Sequence, residues 1–90
     1  MKVVFLPSSR PDFAWFRHYY ETVFPGGADG ARRHYLKALA ILRDNPEIGH
    51  PAEEVGNRTF VVSRTPFSFE YRIANGRIEI LRVRDGRAAR

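Results

Sequence analysis

Apolar and polar positions recur with two different periods along this chain, and the changes of period mark its elements. Residues 2–6 contain the run Val3-Val4-Phe5-Leu6 before Pro7. That pattern predicts a short buried strand, because proline neither donates to a β-ladder nor continues it. Phe13, Phe16, Tyr20 and Val23 then recur at helical spacing, with Trp15 and Tyr19 on the adjoining face, until Pro25-Gly26-Gly27 breaks the run. Ser9 is placed to cap this helix, Pro11 is tolerated in its first turn, and Asp12 supplies a short-armed capping box. A second helix is expected from about residue 29. It carries Ala31, Tyr35, Ala38, Leu39 and Leu42 on one face, with Arg32, Arg33, Lys37 and Arg43 mostly on the other, and Asn45-Pro46 stops it.

Beyond the loop Pro46-Glu47-Ile48-Gly49-His50-Pro51 the period falls to two. A strand is predicted over residues 58–63, leading through Arg64-Thr65-Pro66 into two longer runs, Phe67-Ser68-Phe69-Glu70-Tyr71-Arg72-Ile73 and one starting at Arg77. Asn75-Gly76 between them is a strong signal for a type I′ hairpin turn. In the first run Phe67, Phe69, Tyr71 and Ile73 share one side, placed against the helices, and Ser68, Glu70 and Arg72 share the other, placed on an open face. In the last run Ile78, Ile80 and Arg82 alternate with Glu79, Leu81 and Val83, so neither face is cleanly polar. The order β-α-α-β-β-β predicts an α+β fold: a four-stranded antiparallel sheet with a helical hairpin packed on one face. The 90 residues are read as a single domain, 1–90, with 85–90 as a flexible basic tail.

Composition adds the electrostatic setting. Hydrophobic residues at 43% suffice for a core and argue against disorder. Fifteen Lys and Arg against ten Asp and Glu give a net charge of +5, which favours an anionic partner. Only Lys2 and Lys37 are lysines, and seven arginines fall between Arg64 and Arg90. Arginine's planar fork suits bidentate contact with phosphate or carboxylate. There is no cysteine, which excludes disulfides, thiolate metal sites and a cysteine nucleophile. The N-terminal apolar run is too short for a signal-peptide core or a membrane span, so a cytoplasmic location is expected. His18, His34 and His50 fall on different elements without ligand spacing, so no metal and no cofactor are expected.

Three groups of residues carry a resemblance to a known family. They are Leu42-Arg43-Asp44-Asn45-Pro46-Glu47-Ile48-Gly49-His50, Tyr71-Arg72-Ile73, and Ile78-Glu79-Ile80-Leu81-Arg82-Val83 with Gly86-Arg87. With the element order, they make the chain resemble the RelE/ParE superfamily of toxins from type II toxin-antitoxin modules, over nearly its whole length. The resemblance implies a growth-arresting toxin neutralised by an acidic, adjacently encoded antitoxin. RelE-like members cut messenger RNA in the ribosome; ParE-like members act without hydrolysis by poisoning DNA gyrase. RNA cleavage without a metal needs a group to assist the 2′-hydroxyl, a proton donor for the leaving oxygen, and cations for the phosphorane charge. Where RelE-type nucleases commonly carry an arginine in the third strand this sequence has Ser68, and after Arg87 it reads Ala88-Ala89-Arg90, with no tyrosine or histidine. Arginine is a poor acid or base. The resemblance is therefore closer to the ParE-like members, with gyrase inhibition as the expected action.

Two alternatives accompany this reading: a ribosome-dependent ribonuclease using Arg58, Arg64, Arg72, Arg82 and Arg87, and a non-toxic relative that keeps antitoxin or DNA-complex binding. The residues expected to meet the target are Arg64, Arg72, Arg82, Arg84 and Arg87; Trp15 and Tyr19 are expected to meet the antitoxin. Arg82 and Arg84 are equally placed for cross-strand ion pairs with Glu70 or Glu79, and Tyr71 for the core. Were Arg58, Arg72, Arg82, Arg84 and Arg87 all to engage an RNA backbone, the log-log salt slope of binding would be about −3.5 to −4.5.

Overall fold

The computed structural model describes residues 1–86. Strand β1 (Val3–Phe5) passes through a 3-10 turn, Pro7–Ser9, into helix α1 (Arg10–His18), whose last turn widens to π geometry over Tyr19–Val23. A second 3-10 turn, Pro25–Gly27, leads into α2 (Ala28–Asp44). Four strands follow: β2 (His50–Pro51), β3 (Arg58–Val61), β4 (Phe67–Ala74) and β5 (Arg77–Asp85). No helix among the described residues is long and apolar enough to cross a membrane.

The sheet differs from the expected four antiparallel strands. It has five, in the order β1-β5-β4-β3-β2, and it is mixed, because β1 runs parallel to β5 with Val3 opposite Ile78 and Phe5 opposite Ile80. The reason lies in where α2 ends. It starts beside Phe67 and Val83, at the far end of β5, and finishes where the Arg43 carbonyl accepts from the Met1 ammonium at 3.1 Å, at the start of β1. The chain therefore enters the β3-β4-β5 meander in the direction of β1. The fifth strand is the two-residue β2 on the opposite edge, with His50 opposite Thr59.

The tight turn is as read: Asn75 (φ 56°) and Gly76 (φ 68°) are both left-handed, as a type I′ turn requires. The ambiguity of the last strand is resolved by a β-bulge. Phe69 pairs with Val83 and Glu70 with Arg82, but Tyr71 pairs with Ile80, which leaves Leu81 as an extra residue. One added residue reverses the alternation, so Ile78 and Ile80 face inward before the bulge and Val83 after it, all fully buried. Arg82 is thereby placed opposite Glu70 rather than in the core.

The core lies between this inner face and the helices. Phe67, Phe69, Tyr71, Ile78, Ile80 and Val83 meet Ala38 and Leu42 of α2, with Phe5, Phe13, Phe16 and Tyr35 packed against them. Tyr35 is the hub of an aromatic cluster, 5.4 Å from Phe69 and 6.2 Å from Phe5 between ring centres. Full burial of a side chain such as Leu42 contributes about 1.5–3 kcal/mol. Ile73, expected inside, is partly exposed at the end of β4.

Two further expectations are corrected. The Ser9 hydroxyl makes no cap bond to the helix; it donates to the Leu6 carbonyl at 2.7 Å, closing the 3-10 turn. The tail expected over 85–90 does not begin at 85. Asp85 is buried in β5, and the Gly86 N–H donates to the Pro66 carbonyl at 2.9 Å; the rest of that segment lies outside the described residues.

Candidate functional site

Pro7 stops β1 while β5 continues, so the edge of β5 beyond Ile80 has no strand beside it. Unpaired ladder groups in that position need other partners. Side chains supply them. The Ser8 hydroxyl donates to the Leu81 carbonyl at 2.6 Å, and the Asp12 carboxylate accepts the Val83 N–H at 2.8 Å. Asp12 is fully buried and is no capping-box residue. Its two oxygens also accept a bidentate pair from Arg82, Nε at 2.9 Å and Nη2 at 3.0 Å. The Arg82 guanidinium thus comes round the sheet edge onto α1. The hydrogen bonds that Arg82 donates to Asp12, and the carboxylate's charge, push the arginine's pKa still higher.

The other arginines of the hairpin are likewise engaged within the chain. Arg72 donates through Nε to Glu79 at 2.8 Å, and Arg77 reaches the second oxygen of the same carboxylate, Nη2 at 2.7 Å. Roofed by these two guanidinium groups, Glu79 is buried on the open face, and hydrogen bonds from Arg72 and then Arg77 hold its carboxyl down at about 2. Arg84 pairs with Glu70 at 3.2 Å, the cross-strand pair anticipated, and Asn57 donates to the other Glu70 oxygen at 3.0 Å. Of the arginines expected to meet a target, then, Arg72, Arg82 and Arg84 each hold a carboxylate. Arg64 is exposed at the β3–β4 turn and, among the described residues, makes no ion pair; Arg87 lies outside them.

Arg58 and Tyr71 have a common task. Arg58 Nη1 donates to the carbonyls of Glu47 and Gly49, each at 3.0 Å. The buried Tyr71 hydroxyl accepts the Gly49 N–H at 3.0 Å and donates to the Pro46 carbonyl at 2.7 Å. Burial is the main cause raising its pKa. Together they clamp the Pro46-Glu47-Ile48-Gly49-His50 loop against the sheet. Gly49 is needed there because a Cβ would stand 2.7 Å from the tyrosine oxygen and 2.9 Å from the Thr59 carbonyl. Neither role was read from the sequence beyond Tyr71 as a core aromatic.

A second feature lies between the helices. A groove of about 400 Å³ is lined by Phe13, Phe16, Tyr20, Ala31, Tyr35 and Phe67, with Arg17 and Arg32 at its polar margin. Trp15 and Tyr19, the expected antitoxin contacts, lie outside this lining. They stack on each other at 5.4 Å on α1 and its π turn, half-buried. The groove-facing residues belong to the helical stripes of the sequence; their incomplete burial was not legible there. His18, His34 and His50 stand on α1, α2 and β2.

Comparison with known proteins follows the fold. A family model described as "ParE toxin of type II toxin-antitoxin system, parDE" matches residues 3–90. Among solved structures, one described as "Chromosomal ParDE TA system from P. aeruginosa" superposes with a TM-score of 0.74 at 28% identity, covering 94% of this chain and 95% of that one. A search of curated proteins finds no match.

Proposed function

The chain belongs to the ParE toxin family of type II toxin-antitoxin systems, and from that premise we propose that it arrests growth when free by poisoning DNA gyrase, without hydrolysing RNA. The observation that carries the choice of chemistry is the internal engagement of three of the five arginines named for a ribonuclease. Arg58 holds two loop carbonyls, Arg72 holds Glu79 and Arg82 holds Asp12. A cation already paired with a carboxylate stabilises a phosphorane less, since the pair must be broken or shared. The buried Tyr71 is no better as a proton donor, because its hydroxyl hydrogen is committed to Pro46 and its pKa is raised. An inhibitor that acts by occupying a surface of a large enzyme needs none of this chemistry.

The groove between α1 and α2 is the seat proposed for the cognate antitoxin. Its aromatic floor and its two arginines suit an amphipathic helix with an apolar stripe and acidic flanks. Trp15 and Tyr19 extend that surface along α1.

Pulse-labelling of DNA and protein synthesis in the minutes after induction of the chain without its antitoxin tests the reading. Thymidine incorporation is expected to fall before leucine incorporation. The opposite order would refute gyrase as the target and return attention to messenger RNA; normal rates with soluble protein accumulating would mean that the chain is not toxic in that host.

A further inference from the structure

On the side of α2 away from the helix groove, a second depression of about 390 Å³ opens between α2 and the β3–β4 turn. Its floor is Ala38, Ile41 and Phe60, and its polar margin is His34, Lys37, Ser63 and Arg64. Among the described residues no carboxylate lines it, and none of these four polar side chains makes a hydrogen bond or ion pair. This is the reverse of the open sheet face, where Arg72, Arg77 and Arg84 each face an acid. Among the described residues, α2 and the turn beside it thus carry positive charge that no acid neutralises. Arg33, exposed one helical turn before Lys37, continues it along the helix.

Arg64 has a second distinguishing property. It is in the left-handed region at φ 64°, where a residue with a β-carbon is uncommon and glycine or asparagine is expected. The turn that holds it there is well tied: the Val62 N–H donates to the Phe67 carbonyl at 2.9 Å, and the Thr65 hydroxyl donates to the Val62 carbonyl at 2.9 Å and accepts the Phe67 N–H at 3.1 Å. An arginine kept at a strained, rigid and exposed position, beside a lysine and a free hydroxyl, has the marks of a residue held there for a contact.

We propose that Lys37, Arg64 and Ser63, extended by Arg33, form a site for the phosphodiester backbone of a nucleic acid. The basic groups are exposed and divided between two elements, α2 and the β3–β4 turn, at the margin of the depression, which suits successive phosphates of a chain better than one small anion. The contact does not depend on gyrase being the target; it places the nucleic acid against α2 and the β3–β4 turn instead of against the arginine-rich hairpin.

The test is the salt dependence of binding of the full chain to a short labelled DNA duplex, followed by anisotropy between about 50 and 200 mM salt. Three phosphate contacts give a log-log slope of about −2.7, and each charge removed lowers its magnitude by about one. Lys37→Gln combined with Arg64→Gly is expected to leave about −0.9. Arg64→Gly alone separates binding from folding, because glycine relieves the left-handed strain: its melting temperature is expected to hold or rise while its slope falls by about one unit. An unchanged slope in the double variant would overturn the site. So would binding of polyglutamate, with the same dependence on Lys37 and Arg64, in place of DNA.

Discussion

Replacing Asp12 by Asn changes the shape of the side chain hardly at all, yet it should be one of the most damaging isosteric substitutions in the molecule. The carboxylate accepts at least three hydrogen bonds, two from Arg82 and one from the Val83 N–H, and the residue is fully buried. An amide offers a single acceptor oxygen, and its NH2 must face either the guanidinium or the backbone donor. Hydrogen bonds to a charged group contribute about 1.5–3 kcal/mol, and breaking a buried ion pair costs about 3–5 kcal/mol. The Arg82 side chain is 34% exposed and can recover water, which lowers the expected loss to about 2.5 kcal/mol. For a chain of this size that corresponds to a fall in Tm of roughly 10–20 °C. Thermal and urea melts of Asp12→Asn, Arg82→Gln and the double variant would measure it, and the cycle should show the two losses to be strongly non-additive. A Tm for Asp12→Asn within about 3 °C of the parent would refute the view that this carboxylate completes the edge of β5.

Glu79→Gln addresses acid stability. The carboxyl is held at about 2 against an ordinary value of 4.5, so its contribution is fully present above pH 4.5 and is lost as pH falls through about 2. Urea melts from pH 5 to pH 2 should therefore show a shallower loss of stability in Glu79→Gln than in the parent; parallel curves would contradict the pairing with Arg72 and Arg77. Tyr71→Phe removes the hydroxyl that joins Gly49 to Pro46, leaving a buried N–H unpaired at a cost of about 1–3 kcal/mol, and should speed hydrogen exchange at Gly49. Gly49→Ala drives a methyl into the Tyr71 ring and the Thr59 carbonyl and should destabilise by about 1–3 kcal/mol in denaturant titration, where no change would indicate that the loop shifts freely.

Much of the architecture could be read from local pattern. The helical stripes, the aromatic face of β4 and the Asn75-Gly76 turn are set by residues near one another in sequence, and they are found as expected. What could not be read depends on distance along the chain. A three-residue apolar strand looks the same whether its neighbour is parallel or antiparallel, so the pairing of β1 with β5 is set by where α2 ends. The bulge at Leu81 was visible only as an alternation that favoured neither face. Asp12 and Arg82 are 70 residues apart, and the one local hint was a carboxylate next to the core-facing Phe13. The same limit governs the site. An arginine count gives the charge of the hairpin but says nothing of which guanidinium groups already hold a carboxylate, and this is why Arg64 and Lys37 stand apart from Arg72, Arg82 and Arg84 only in three dimensions.

The most direct measurement of the central claim uses the purified chain, DNA gyrase and relaxed plasmid. Supercoiling is expected to stop and gyrase-linked DNA breaks to accumulate in proportion to added toxin, and added cognate antitoxin to prevent both. Full supercoiling activity at a large excess of folded toxin, with cleavage of messenger RNA on programmed ribosomes by the same preparation, would contradict it.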